Sequence, residues 1–597
     1  MKSTKYSTII GCLFFLAVTS CDEYEAVPIE RFTEDYVFSS TDSLGRNAEK
    51  YLNAIYYAMQ NGHNRVGGDY LDAASDDALS SAVSENDIQR LATGQYTAAN
   101  RVGAGRDVPN RIIGNMDWAN YYTSIRQAIN FINNIDIVPL MTTYTNANGI
   151  KAPMNRAWKA EARFLKAYFY FELVKRYGGI PILRDDAPYE LGEDIELPRN
   201  TFEYCINYIV SELDAIKDKL RAAPLPNPAA EGHVITAGAA MALKSRVLLY
   251  AASPLFNERP IDPGNELVGY AQYDPQRWKD AADAARGFIN TYQGIYALAP
   301  SSFTSVFLNY YGENNNKEII FAQQGDKNKG VEQNNGPIGF TGNNQSNGRT
   351  SPTQNLVDAF PMKDGKAIDD PGSLYYSTYS LQNMYANRDP RLEYTVMHNG
   401  SRWLKTTLET YIKGKNNLTQ SVQTTKTSYY LRKFMGNFEE SDNYDDVLHL
   451  WIMFRYAEIL LNFAEAENEY SGPTTEVYKA ITDLRARAGI EPGADNLYGL
   501  KPIPAMTKEE MRGVIRNERR IEMAFEEQRY WDVRRWRAAE EVFANPLYGL
   551  QITKSSNVLN YERVPVASYS FEDKRYFYPI PYSEVVKNKN MKQNPGW

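Results

Sequence analysis

Apolar residues recur at helical spacing through the first half of the chain and again near its end. Phe164, Tyr168 and Phe171 follow one another at i, i+4 and i+7, with Leu165 and Phe169 beside them, in a run from Arg156 to Tyr177. That spacing collects side chains on one helix face, so the run predicts a long packed helix. Gly178-Gly179-Ile180-Pro181 ends it, since glycine suits the C-terminal cap and proline cannot continue the turn. The same periodicity predicts helices over about 46–60, 118–135, 200–220, 236–252 and 276–291.

Nearer the C-terminus, Arg455 to Glu469 carries Ala457, Leu461 and Ala464 on one face. A Ser471-Gly472-Pro473 turn follows, Thr474 or Thr475 can cap, and Glu476 to Ala488 forms a second helix. This helix–turn–helix unit, with small alanines at its seam, is close to the ~34-residue tetratricopeptide period. Thr507-Lys508-Glu509-Glu510 reads as a capping box opening a helix that runs to about Gln528. Between these blocks the texture changes. Residues 301–350 are rich in Asn, Gly, Gln and Ser, with one strand-like run at Glu318 to Ala322, and 536–597 carry prolines at 546, 565, 579, 581 and 595. Stretches of that length are expected to be structured functional loops. A helical frame carrying elaborated loops results.

The N-terminus carries an address. Lys2 and Lys5 precede an apolar run from Ile9 to Val18, too short to cross a bilayer, and Thr19-Ser20 place small residues directly before Cys21. This pattern predicts a signal peptide over 1–20 whose removal leaves Cys21 as an acylated N-terminus. Asp22, Glu23 and Glu25 behind it resemble the surface-export signal of Bacteroidota-type lipoproteins. Several acyl chains on one cysteine suffice for stable anchoring, so the body is expected to be tethered to the outer membrane.

Composition fits an extracellular body. Removing Lys2 and Lys5 takes the formal charge from −8 to −10, which disfavours nucleic acid as a partner. Cys12 leaves with the signal and Cys21 is lipidated, so Cys205 stands without a disulfide partner; its place in the apolar-periodic run Phe202 to Leu213 makes it a buried thiol. The chain's excess is in tyrosine, 44 beside 8 Trp and 24 Phe. Tyrosine joins a flat apolar face to a hydrogen-bonding tip, which suits sugar stacking and interfaces, although most such rings serve packing.

Candidate chemistry is sparse. Glu518, Glu522, Glu526, Glu527 and Asp532 could be taken for glycosidase carboxylates. Arg516, Arg519, Arg520, Arg529, Arg534 and Arg535 interleave with them, and paired charge keeps carboxylates ionised where a general acid needs the opposite. An ion-pair network tying this helix to the frame is the better reading. His63, His233, His398 and His449 show no ligand spacing, and neither a nucleophile elbow nor a phosphate loop appears. The sequence points to no catalytic residues, no metal and no cofactor.

Seven motifs in order resemble the SusD/RagB family of outer-membrane nutrient-uptake lipoproteins. They are Trp118-Ala119-Asn120-Tyr121-Tyr122 leading to Ile125-Arg126-Gln127-Ala128-Ile129-Asn130, then Glu161-Ala162-Arg163-Phe164-Leu165-Lys166-Ala167 leading to Tyr177-Gly178-Gly179-Ile180-Pro181. Next come the run from Ala242 to Pro254, Pro352-Thr353-Gln354-Asn355-Leu356-Val357-Asp358-Ala359-Phe360, and Arg388-Asp389-Pro390-Arg391. Arg455-Tyr456-Ala457-Glu458 and the stretch from Arg516 to Trp536 complete the set. The resemblance implies a mainly α fold, a right-handed frame of four tetratricopeptide-like helix pairs with a loop-rich face and short strands. It divides the chain into a signal (1–20), a lipid-anchored tether (21–45), an N-terminal helical region (46–230) and a C-terminal region (231–597). The last holds ligand-face loops at about 300–440 and tetratricopeptide-like helices at about 451–536. It further implies a non-enzymatic lid on a SusC-like TonB-dependent transporter, catching an oligosaccharide, or in some branches a peptide.

Sugar binding needs flat rings with amides, carboxylates and Arg around them, and two loop regions offer that mixture. The first, 65–101, contains Asp72, Arg90, Tyr96 and Asn100, with Asp69, Tyr70 and Asp76-Asp77. The second, 308–347, contains Tyr310, Tyr311 and Phe340, with Gln323, Gln324, Asn343 and Asn344. The family's glycan pockets commonly draw on both. Tyr121, Tyr122, Trp158, Tyr168 and Trp118 are expected to pack. Neither loop carries the tryptophans of starch-binding members, so the glycan stays open. Two rival functions remain: a lipid-anchored glycoside hydrolase, and a peptide-binding or tetratricopeptide-type interaction lipoprotein.

Overall fold

The computed structural model describes residues 34–102, 115–185, 196–225, 234–300, 303, 305–323, 325–418, 424–503 and 505–597. The signal segment, Cys21, His233 and Gln324 lie outside the described residues. The fold is mainly helical. Its principal helices are α1 (Arg46–Tyr57), α2 (Asp87–Thr93), α3 (Trp118–Asn134), α4 (Met154–Tyr177), α5 (Phe202–Ile216), α6 (Ala237–Ala252) and α7 (Gln276–Thr291). After the loop-rich middle come α8 (Gly330–Asn335), α9 (Tyr456–Ser471), α10 (Thr475–Ala488), α11 (Lys508–Glu522) and α12 (Arg529–Arg535).

Helix α4 is the keel. Almost every residue from Ala157 to Tyr177 is buried, so its polar side chains must be paired inside. Lys166 meets Asp185 at 2.7 Å, Glu172 holds Lys175 at 2.7 Å, and Tyr56 donates to Glu161 at 2.7 Å. Gly178 then turns the chain at φ 75°, where a Cβ would lie 2.3 Å from the Leu267 carbonyl. Trp118, Tyr121, Trp158 and Tyr168 all pack in the core, as their helical seams predict, and Tyr122 donates to the Pro181 carbonyl at 2.8 Å. Cys205 is buried with its thiol pushed up to about 12 by burial.

Successive helices pack together: α3 on α4, α4 on α5, α6 on α7, and α9 on α10. The seam between α6, α7 and α9 uses Ala252, Ala281, Ala282 and Ala466 around Trp278 and Leu249, small residues that let backbones approach. Thr507 and Glu510 form the reciprocal capping box at the start of α11.

Helix α11 stops earlier than its periodicity predicts. Lys433 donates to the carbonyls of Glu522 and Ala524 at 3.1 and 2.8 Å, and Arg455 to that of Glu522 at 2.9 Å. Phe525 and Glu527 then turn at φ 64° and 57°, which takes the backbone off the helical path before α12 begins.

The strands form two-stranded pairs. Strand β1 (Ala78–Ser80) pairs antiparallel with β3 (Thr350–Pro352), and β2 (Ile319–Gln323) with β4 (Trp451–Arg455). The third pair corrects the loop expected over 536–597. Strand β5 (Leu547–Ser555) and β6 (Val558–Ala567) form a long hairpin. Ser556 and Asn557 close it at φ 49° and 66°, the two positive values of a type I′ turn. Pro565 is accommodated beside a register shift at Leu547/Tyr548 on the outer strand.

Candidate functional site

The two loop regions singled out in the sequence meet. Strand β1 belongs to the first and β3 follows directly on the second, and their pairing brings Ser80 opposite Thr350. Below the junction Asp69 is fully buried and accepts from Ser80 Oγ at 2.8 Å, Asn86 Nδ2 at 3.2 Å and Thr350 Oγ1 at 3.3 Å. Burial raises its carboxyl to about 6 despite those donors and nearby Arg349.

Above the junction the surface is lined with amides. Asn347 and Arg349 run along α8, their backbone N–H groups donating to the Gln333 and Asn334 carbonyls, each at 2.9 Å. Arg349 Nη2 reaches across to the Gly67 carbonyl at 2.5 Å. This approach depends on Gly68: at φ 91°, a Cβ there would sit 2.8 Å from the guanidinium. Asn86 caps α2 in a capping box with Gln89 and points its amide back toward Gly67 and Asp69. Gln333 and Gly67 are exposed, and Asn334, Asn347 and Arg349 are half-buried. The result is a cluster of amide and guanidinium groups at the surface on a hydrogen-bonded backbone, suited to polyhydroxylated ligands and without a nucleophile or general acid.

The predicted site residues scatter around this platform. Arg90 and exposed Asn100 are joined at 2.8 Å on the flank of α2. Phe340 is half-buried, with the Lys415 ammonium 4.2 Å from its ring centroid. Tyr310 and Tyr311 border a separate, narrow apolar crevice of about 40 Å³ with Tyr296, Ile319 and Leu450, where Tyr311 donates to the Ile295 carbonyl at 2.8 Å. Two residues belong inside the protein instead. Asp72 is fully buried, accepting the Phe525 N–H at 3.1 Å, and burial with neighbouring Asp77 holds its carboxyl well above the usual range. Tyr96 stacks on Trp597 at 5.3 Å between centroids, and burial pushes its phenol up to about 12. Both are covered by C-terminal segments, which the local sequence around them could not reveal.

The acidic residues of α11 are likewise internal. Glu518 and Glu522 have no exposed surface. Their partners come mostly from other elements: Arg391 and Arg485 hold Glu518 at 2.7 and 2.9 Å, and Arg391 and Arg455 hold Glu522 at 2.8 and 2.7 Å. Burial favours protonation of Glu522, but Arg487, Arg455 and Arg391 outweigh it and keep the carboxyl well below 4.5. Glu526 pairs with Lys433 and Arg455, Glu527 with Arg65, and Asp532 with Arg519 and Arg535. Such carboxylates cannot flank a glycosidic bond. Among the described residues no three His, Cys, Asp or Glu side chains gather as a metal site.

Arg349, Gln333, Asn334 and Asn86 went unnoticed in the sequence. The Gly67-Gly68 pair was the available signal, because adjacent glycines mark a close backbone approach.

Comparison with known proteins gives a consistent result. The SusD family model matches residues 317–597, and a model described as "Starch-binding associating with outer membrane" matches 46–249. SusD-like protein P38 of Formosa agariphila is 20% identical over 592 residues, covering 97% of this chain and 96% of that protein. SusD-like protein P2 of the same organism is 34% identical over 160 residues, and that match spans only 27% of either protein. Among solved structures, a SusD-like protein from Bacteroides fragilis aligns at TM-score 0.70 with 26% identity, over 94% of this chain and 98% of its own. A SusD-like carbohydrate-binding protein from the same species aligns at 0.69 with 23% identity, over 92% and 99%. The chain belongs to the SusD/RagB family and has that family's association with the outer membrane.

Proposed function

We propose that this SusD/RagB-family chain is a cell-surface glycan-binding lipoprotein that delivers oligosaccharides to a SusC-like TonB-dependent transporter. One observation carries the binding half of this reading. The loops around Gly67 and Asn86 join those around Gln333 and Arg349 into a single polar platform on a rigid helical frame. The Arg349 guanidinium and the Asn86 and Asn334 amides are each held by hydrogen bonds within the protein, which lowers the ordering cost of binding sugar hydroxyls. The names of two structural neighbours, a SusD-like carbohydrate-binding protein and a laminarin-binding SusD-like protein, support the same ligand class. Anchoring rests on the Thr19-Ser20-Cys21 signal. Delivery to a barrel follows from the family role.

Calorimetric titration of the chain beginning after Cys21 against plant, host and microbial polysaccharides tests this reading, with chromatography of each mixture afterwards. Binding to one glycan class with the polymer recovered intact is the expected result. Shortened products would point to a hydrolase, and silence toward every glycan would return peptides to first place.

A further inference from the structure

A second cleft opens away from the platform, between the loop that follows Phe360 and the outer strand of the β5–β6 hairpin. Its volume is about 720 Å³, within the range of ligand-sized clefts. Tyr376, Tyr379, Ile368 and Leu381 line one part, and Asp358 and Arg563 the other. Tyr376 opens a short 3-10 turn (Tyr376–Thr378), and Tyr379 follows three positions later. Tyr379 caps that turn in an extended conformation, and both residues line the cleft. Tyr376 is 47% exposed, and neither phenol makes a hydrogen bond among the described residues.

The polar part is built rather than incidental. Gln354, 1% exposed, accepts from Tyr429 Oη at 2.6 Å and donates to Asp358 Oδ1 at 2.6 Å. Arg563 holds the other oxygen of Asp358 at 2.9 Å and lies 4.3 Å over the Tyr548 ring. The carboxylate and guanidinium are thus fixed before any ligand arrives, with acceptor and donor capacity left over.

We infer that the Tyr376–Tyr379 cleft is a second carbohydrate-contact site, taking neutral pyranose units with their apolar faces on the rings and their hydroxyls on Asp358 and Arg563. Tyrosine offers a flat apolar face beside a hydrogen-bonding tip, the combination a pyranose ring requires. Charge selects the class. Asp358 and exposed Asp369 are balanced by Arg563, already engaged by Asp358, and by buried Arg388, 5.9 Å from the Tyr379 ring centroid, so no surplus positive charge favours uronates or sulfated sugars. The two sites share one short stretch of chain. Arg349 of the platform is five positions from Gln354 of the cleft floor, at most ~18 Å even if fully extended. In this proposal a linear glycan that follows this stretch engages both, and linked contacts raise affinity with chain length. This inference rests on the glycan-capture reading above and fails separately from it.

The test compares the parent protein with Tyr376→Ala/Tyr379→Ala, the ring-retaining Tyr376→Phe/Tyr379→Phe, and Arg349→Ala. The probes are length ladders of neutral α-glucan, β-glucan, β-mannan and xylan oligosaccharides, with polygalacturonate as the acidic control. For the neutral glycan that binds, the alanine pair is expected to weaken long chains at least tenfold. The shortest oligomers should lose less, and the phenylalanine pair should stay within threefold of the parent. Parent-like binding of long chains by the alanine pair, with loss only in Arg349→Ala, would overturn the second site and leave the proposed function standing. Tighter binding of polygalacturonate than of any neutral chain would overturn the ligand class. No binding by the parent to any glycan would overturn both, and a loss confined to transporter capture would reassign the cleft to protein contact.

Discussion

Asp76 and Arg529 stand 453 positions apart, yet their side chains meet in two parallel hydrogen bonds of 2.8 and 2.9 Å. Arg520 reaches the same carboxylate at 2.8 Å and continues to Asp77 at 2.6 Å. The loop that carries Asp76 and Asp77 is therefore clamped to the C-terminal helices. Burial disfavours the charge on Asp76, but Arg520 and Arg529 overcome it and hold the carboxyl far below its usual range. Removing one partner of a buried pair leaves charge without compensation, so Arg529→Ala is expected to cost about 3 kcal/mol in chemical denaturation. A loss below ~1 kcal/mol would show that Arg520 alone suffices.

Asp69 and His63 impose opposite pH dependences. Asp69 is raised by burial to about 6, so the folded state keeps a proton that the unfolded chain releases near 3.8; its contribution declines as pH rises from about 4 to 6. Burial first, then neighbouring His449, lowers His63 to about 3, so only the unfolded chain takes up a proton below 6.5; this contribution declines as pH falls from 6.5 toward 3. The windows overlap and largely mask each other. Asp69→Asn should make stability rise more steeply with pH between 4 and 6, by up to roughly 3 kcal/mol across the window. His63→Gln should turn the slope the other way. Parallel stability curves for parent and both variants would contradict the assignment.

Gly68 is predicted to matter for binding more than for stability. A side chain there is strained at φ 91° and meets the Arg349 guanidinium at 2.8 Å, but that guanidinium is the free end of a flexible chain and can move away. Gly68→Val is expected to cost about 2 kcal/mol while weakening glycan binding as much as Arg349→Ala does. Unchanged affinity would mean that Arg349 does not contact the ligand.

The capping box at Thr507 offers a local test. Thr507 Oγ1 accepts from the Glu510 N–H at 3.2 Å, and the Glu510 carboxylate accepts from the Thr507 N–H at 2.8 Å. Thr507→Ala should cost ~1 kcal/mol of stability without altering ligand affinity, measured by denaturation and titration on the same preparation.

What the sequence determined is what short-range periodicity controls. The keel helix and its Gly178 stop, the α9–α10 turn at Gly472, the Thr507 cap and the buried Cys205 were all readable, because each depends on neighbours within one or two turns. The ion-paired character of the Glu518 to Asp532 stretch was readable too, although most partners of the glutamates were not, since Arg391, Lys433, Arg455 and Arg485 arrive from elsewhere in the chain. Tertiary structure alone decided the rest. It ended α11 at Glu522, where Lys433 and Arg455 dock on the Glu522 carbonyl and Phe525 turns at φ 64°, and it closed a hairpin across a proline-bearing stretch. It also buried Asp72 and Tyr96 under the C-terminal segments while leaving Arg349 and Tyr376 in reach of solvent. Loop residues carry no periodicity that records burial, so whether a ring or a carboxylate faces water depends on which distant segment comes to cover it.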